Sequence, residues 1–148
     1  TNEIVLATLL RSGLPFHAGF LDMFDQADSS FISAYRKYHK DGSYSIEMDY
    51  VSSSSIKRKT LIIIDPLLAT GTSSVKAFEA LTNEAGLPNE VHFASVVATP
   101  TGVDHIIKHL SSRKVTIWTA SLDQELTARS YIVPGIGDVG DLSFGDKI

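Results

Sequence analysis

Residues 61–74 read LIIIDPLLATGTSS: four apolar residues, Leu61 to Ile64, then Asp65, a short loop carrying Thr70, Gly71, Thr72 and Ser73, and the start of a helical pattern. A short, continuous apolar run bounded by turn residues is the signature of a parallel strand buried on both faces. The start of a helix offers unpaired backbone N–H groups and a partial positive charge, and small loop residues let a phosphate come close to them. Residues 65–73 therefore form a candidate anion cradle. Asp65, at the carboxyl end of its strand, stands where open parallel sheets bind ligands and where an acid can accept hydrogen bonds from sugar hydroxyls. The competing view is that Asp65 caps a turn and Thr-Gly-Thr-Ser simply begins a helix; the strand and acid ahead of the loop favour the cradle. No lysine follows Gly71 as a Walker loop requires, and the spaced glycines of a dinucleotide fingerprint are missing.

Further apolar runs stand at Ile4 to Leu10, Phe93 to Ala98 and Val115 to Ala120. Between the runs, apolar residues spaced three and four apart predict helices: Phe20, Met23, Phe24 and Ala27; Val75, Phe78, Leu81 and Ala85; Val103, Ile106, Ile107 and Leu110. For the middle helix, Thr72, Ser73 or Ser74 is available as the N-cap and Gly86 as the left-handed terminator. The expected fold is α/β, with a mostly parallel central sheet flanked by helices. Ser30 to Tyr38 and Glu47 to Ser54 read as two more strands, and the polar segment from His39 to Ile46 joining them makes this hairpin a candidate flap over a site.

The chain has 148 residues, 43% hydrophobic and 20% charged, within the range of one globular domain spanning residues 1–148. No apolar run approaches the roughly 18 to 20 residues that cross a bilayer, so no membrane partner and a cytoplasmic location are expected. Cysteine is absent, which removes disulfides and thiolate chemistry. The formal charge is -4 and no dense basic stripe exists, so nucleic acid is not an expected partner, while a small phosphorylated ligand is. His105 and His109 have metal-ligand spacing but no evident third ligand, and a solvated face is expected there. Thr1 is not a methionine and an apolar strand begins by Ile4, so the expectation is that sequence upstream belongs to the same fold.

A second informative stretch is Tyr131 to Gly145, YIVPGIGDVGDLSFG. Pro134 with Gly135, Gly137 and Gly140 favours a compact irregular turn that can present main-chain donors and acceptors to a flat ligand. Taken alone, it is also compatible with a solvated terminal loop bearing Asp138 and Asp141.

Asp65-Pro66-Leu67-Leu68-Ala69-Thr70-Gly71-Thr72-Ser73 resembles the loop by which type I phosphoribosyltransferases hold phosphoribosyl pyrophosphate (PRPP), and most closely the form found in uracil phosphoribosyltransferases. Tyr131 to Asp141 is similar to the uracil loop of that family. Leu10-Arg11-Ser12-Gly13-Leu14 and Ala34-Tyr35-Arg36 resemble its arginine-bearing segments, so the resemblance extends over nearly the whole chain. It implies transfer of the phosphoribosyl group of PRPP to uracil, giving uridine monophosphate and pyrophosphate in pyrimidine salvage, with Mg2+ as cofactor and a homo-oligomer, dimer or higher. It also implies that the chain lacks the N-terminal part of the family's fold.

By the same resemblance, PRPP is contacted by Arg11, Arg36, Asp65, Pro66, Leu67, Leu68, Ala69, Thr70, Gly71, Thr72, Ser73 and Asp138. Uracil is contacted by Ile132, Gly137, Asp138 and Val139. Asp138 and Arg36 are the catalytic candidates, and Asp138 reaches the metal through water. Arginine's planar, permanently charged fork suits a pyrophosphate leaving group. The acceptor of the uracil N1 proton stays open between Asp138, water and pyrophosphate. Thr72 and Val139 stand where the family has glycine and alanine, and the methyls of Val139 crowd the base by on the order of 1 kcal/mol. Two alternatives stay open: transfer to another base, and a non-catalytic PRPP-binding or regulatory homologue.

Overall fold

The computed structural model describes residues 3–148; Thr1, on which the expectation about the chain's start rests, lies outside the described residues. Among them, β1 (Ile4–Leu10), α1 (Leu14–Met23), β2 (Asp28–Tyr38), β3 (Tyr44–Ser52), β4 (Thr60–Ile64), β5 (Leu67–Leu68), α2 (Thr72–Ala85), β6 (Glu90–Ala98), α3 (Pro100–His109) and β7 (Val115–Leu122) follow in order. A small pair, β8 (Glu125–Leu126) and β9 (Ile132–Val133), and a short helix, α4 (Val139–Phe144), complete the chain. The main sheet runs β3-β2-β1-β4-β6-β7, with β5 continuing the edge of β6 beyond β4. All its pairs are parallel except β2 with β3. The expected mostly parallel sheet is borne out.

Alternation along the central strands builds two apolar layers, because successive side chains point to opposite faces. Val5, Ala7 and Leu9 of β1, with Leu61 and Ile63 of β4, pack under Val75, Phe78 and Leu81 of α2 and Ile106 of α3. Leu6, Ile62, Ile64 and Ala94 face the other way, toward Phe16, Phe20 and Leu21 of α1. Each fully buried aliphatic or aromatic side chain stabilises the fold by about 1.5–3 kcal/mol, which is why the strands that read as continuous apolar runs sit at the centre.

Several local expectations need correction. Met23 is 79% exposed and Ile107 52% exposed, so neither belongs to the inward stripe of its helix. α1 starts directly after Gly13 with Pro15 in its first turn, and this phase turns Phe16, His17, Phe20 and Leu21 to the sheet and Met23 to solvent. The N-cap of α2 is Gly71 rather than Thr72, Ser73 or Ser74, because the chain reverses into the helix through a left-handed residue. The hairpin turn is also shorter than expected, since Tyr44, Ser45 and Ile46 pair with Tyr38, Lys37 and Arg36. The tail is not wholly irregular, because Asp138 caps α4 by accepting a hydrogen bond from the Asp141 N–H. No described helix is long and apolar enough to cross a membrane.

Candidate active site

Strand β4 is interrupted at Asp65-Pro66. Pro66 has no N–H to donate to a ladder, while its carbonyl accepts from both Val96 and Val97 and the chain then resumes as β5. The break leaves the Asp65 carboxyl at the carboxyl end of the sheet, where Ser74 Oγ donates to its Oδ2 at 3.2 Å. Burial pushes Asp65 up to a pKa of about 6, against the opposing pull of the hydrogen bonds from Ser74 and the Leu67 N–H.

The loop that follows is held from behind by Thr99, which the sequence patterns had not singled out. Its N–H donates to Leu68 O at 3.0 Å, its hydroxyl donates to Ala69 O at 2.6 Å, and the same hydroxyl accepts from Gly102 N–H at 3.0 Å as the N-cap of α3. A threonine directly before Pro100 fits the rule for a helix N-cap followed by proline at N1. Capping logic would thus have found it as a helix start, though not as the back wall of the loop. Thr99→Val is expected to cost about 1–3 kcal/mol of stability, because Ala69 O and Gly102 N–H lose a buried partner. The loss should appear as a lower urea midpoint together with weaker binding of sugar phosphates.

Gly71 turns the chain into α2 with φ 75°, and a Cβ there would lie 2.6 Å from Gly102 O. The N-cap of this 14-residue helix carries no side chain, and the first N–H, that of Thr72, reaches only the Thr70 hydroxyl in a long contact of 3.4 Å. Thr70 Oγ1 lies 3.2 Å from Thr72 Oγ1, so the hydroxyl of Thr72 is engaged within the loop. The result is a helix start with available N–H groups at the floor of a cleft, a geometry suited to an anion.

A cavity of about 260 Å³ opens over this loop, walled by Arg11, Arg36, Asp65, Thr70, Ser73 and Asp138. Leu67, Ala69, Gly71 and Val139 line it too. A neighbouring cavity of about 430 Å³ shares Arg36, Ser73 and Asp138 and adds Tyr35, Tyr38 and Tyr131. The two candidate loops, some sixty residues apart in sequence, thus meet at one cleft on the carboxyl edge of the sheet.

Of the other residues singled out from sequence, Pro66 is buried and Leu68 is only 2% exposed, so their side chains are scaffold. Neither Thr72, Ile132 nor Gly137 lines the cavities; Ile132 instead pairs with Leu126. Arg11, next to a cis peptide after Leu10, donates to Asp141 Oδ1 at 2.7 Å and to Gly145 O at 3.0 Å, while its Nε is buried without a partner. Arg36 stacks over Tyr44 with its guanidinium carbon 4.8 Å from the ring centroid. The Tyr44 hydroxyl donates to Ser130 at 3.2 Å, so hairpin and tail touch across the first cavity.

Asp138 is held ionised. The Asp141 N–H and the charge of Lys147 keep its carboxyl below the usual range. Tyr44, Ser130 and Lys147 carry no motif in the sequence, and only their meeting in space marks them.

The expected solvated face around the two histidines needs one qualification. His109 is exposed, but His105 is half-buried and its Cβ lies against Gly71. The described residues include no cluster of three potential metal ligands.

Comparison with known proteins gives one consistent result. The family model described as uracil phosphoribosyltransferase matches residues 1–146. A uracil phosphoribosyltransferase of Porphyromonas gingivalis is 46% identical over 147 residues, which cover 99% of this chain and 67% of that protein. One from Methanothermobacter thermautotrophicus is 33% identical over 144 residues, covering 97% of this chain and 64% of that protein. A solved Aquifex aeolicus structure superposes with a TM-score of 0.87 at 28% identity, covering 99% of this chain and 67% of that one. A hypoxanthine phosphoribosyltransferase of Staphylococcus aureus, at 17% identity, a TM-score of 0.57 and coverage of 90% and 73%, shares the fold.

Proposed function

Since the chain belongs to the uracil phosphoribosyltransferase family, we propose that it transfers the 5-phosphoribosyl group of PRPP to N1 of uracil, releasing pyrophosphate and uridine monophosphate for pyrimidine salvage. One observation carries this reading: the anion cradle after Asp65 and the turn at Asp138 and Val139 line the same cavity, with two arginines beside them.

In this reading the 5′-phosphate takes the N–H groups at the start of α2 and the hydroxyls of Thr70 and Ser73, which line the cavity. That contact lies away from the reacting carbon and orients the sugar. Asp65, when ionised, accepts from the ribose hydroxyls. As the bond from the anomeric carbon to pyrophosphate lengthens, the ribose becomes positively charged and the leaving group gains negative charge. Arg11 and Arg36, binding the departing oxygens more tightly than the ground state, lower the barrier. Uracil lies against the turn at Val139 and Gly140, the part of the tail that lines the cavity, and Asp138 stands between base and ribose. The Tyr44–Ser130 contact supports a role for the β2–β3 hairpin in excluding water, which otherwise competes as nucleophile.

Mg2+ fits this donor set. It characteristically keeps several waters and is bound by one or two carboxylates plus substrate phosphates, and an ionised Asp138 facing the cleft matches that need. Bound there, Mg2+ offsets charge on the leaving pyrophosphate. A cytoplasmic homo-oligomer belongs to the same reading on family grounds, and sedimentation velocity checks the assembly.

The test is a labelled-uracil assay with PRPP and Mg2+, run beside hypoxanthine, adenine and orotate. Uridine monophosphate from uracil alone is the expected product. Turnover of a different base would sink the assignment to uracil, and PRPP binding with no nucleotide formed would sink the assignment as an enzyme.

A further inference from the structure

Lys147 lies beyond both motifs, two residues from the end of α4's cap, yet it lines both cavities of the cleft and shares their boundary with Arg36 and Asp138. Its ammonium stands 3.5 Å from Asp138 Oδ2 and 3.5 Å from Asp141 Oδ1, and its side chain is 61% exposed. Exposed pairs at such distances are worth little, roughly 0–1 kcal/mol, so neither carboxylate locks the lysine in place. Arg11 is held differently, by a 2.7 Å ion pair to Asp141 and a second bond to Gly145 O. Asp141 Oδ1 is therefore shared between a firmly bound guanidinium and a loosely bound ammonium. If Lys147 leaves, Asp141 keeps Arg11.

Charge balance gives that mobility a purpose. PRPP brings one phosphate at the sugar's fifth carbon and two more at the anomeric carbon. The start of α2 supplies backbone N–H groups for a single phosphate, which leaves the diphosphate end to side-chain cations acting beside Mg2+. The cleft is lined by Arg11, Arg36 and Lys147, against Asp65 and Asp138 with Asp141 just behind. Lysine suits the mobile member of this set, being a compact point charge on a flexible four-carbon stem.

We propose that Lys147 is a third substrate-binding cation of this site, one that exchanges its two carboxylates for the oxygens of the pyrophosphate group of PRPP. This rests on the phosphoribosyltransferase reading and adds to it a residue and the part of the substrate it grips.

The experiment measures binding of two probes, pyrophosphate with Mg2+ and ribose 5-phosphate, to the wild-type chain, Lys147→Gln and Lys147→Arg by calorimetry, together with the KM for PRPP and for uracil. Loss of one partly exposed, charge-assisted bond predicts about tenfold weaker pyrophosphate binding and about tenfold higher KM for PRPP in Lys147→Gln. Ribose 5-phosphate affinity and the KM for uracil should stay within about twofold, and Lys147→Arg should recover most of the loss. Unchanged pyrophosphate affinity in Lys147→Gln would overturn the inference, and so would an equal loss for both probes, which would mark a merely structural tail contact. A wild-type chain that binds neither probe would overturn the phosphoribosyl reading itself, and this inference with it.

Discussion

Replacing Gly71 with valine is expected to lower kcat/KM for PRPP by roughly a hundredfold or more, the scale on which a misplacement of about 1 Å at a positioning element acts, while leaving the fold intact. The backbone at Gly71 has φ 75°, a region that a β-branched residue adopts only at a cost of about 1–3 kcal/mol. Space is no more forgiving, since a Cβ would stand 2.6 Å from Gly102 O and 3.3 Å from the Cβ of His105. Gly102 cannot retreat easily. It is itself packed so closely that a Cβ on it would meet Leu68 O and Ala69 O at 2.7 Å, and its N–H is tied to Thr99. Strain at Gly71 is thus relieved by moving the loop, and with it the N–H groups offered to the phosphate. Titration with PRPP and a thermal melt separate the two effects. PRPP affinity within threefold of wild type would show that residues 70–73 do not hold the phosphate.

The second large effect is expected at Asp65, where stability and function should part. Its pKa is about 6 in the fold against 3.8 as the ordinary value, so the native state binds this proton more tightly than the unfolded chain does. The stability associated with the protonated acid is complete below about pH 3.8 and is lost as pH rises through about 6, after which the loss is constant. At 1.36 kcal/mol per unit, burying the ionised acid costs at most about 3 kcal/mol near neutral pH.

Asp65→Asn keeps an oxygen that can accept from Ser74 and the Leu67 N–H but carries no charge. The ligand-free variant should therefore match or exceed wild type in stability at pH 8, by up to about 3 kcal/mol, with the advantage vanishing toward pH 4. Its affinity for PRPP should fall by roughly tenfold or more, because a carboxylate accepts sugar hydroxyls far better than an amide does. Urea unfolding at pH 4, 6 and 8 with PRPP titrations at pH 8 checks both halves. A variant less stable than wild type at pH 8 would contradict the claim that burial dominates this carboxyl.

Much of this site was legible before any fold was known, and for a consistent reason. Strands buried on both faces tolerate only apolar side chains, so Leu61 to Ile64 announces a central strand, and the loop after it needs small residues wherever two backbones approach. Features held in phase or in distance are not legible in this way. Met23 and Ile107 satisfy helical spacing, yet which side of a helix is covered depends on where it starts and what lies opposite. Tyr44 to Ile46 reads as polar loop, but cross-strand partners on β2 draw those residues into the ladder. The tail reads as an irregular turn, although Asp138 is well placed to cap a single short helix.

Residue order alone specifies the local chemistry: a strand ending in an acid, a small-residue loop entering a helix, a glycine-rich tail, one arginine directly after a buried strand and another borne on a strand. Such features depend on neighbours within a few residues, and side-chain size, charge and backbone freedom suffice to specify them. Folding is what brings Arg11 to Asp141, 130 positions away, sets Thr99 behind the loop and turns Lys147 to the cleft. The physical reason is that β1, β4 and β6 end side by side along one sheet edge. Parallel pairing with helical crossovers carries the carboxyl ends of the parallel strands to the same rim, and no periodicity within a single segment encodes what its neighbours bring there.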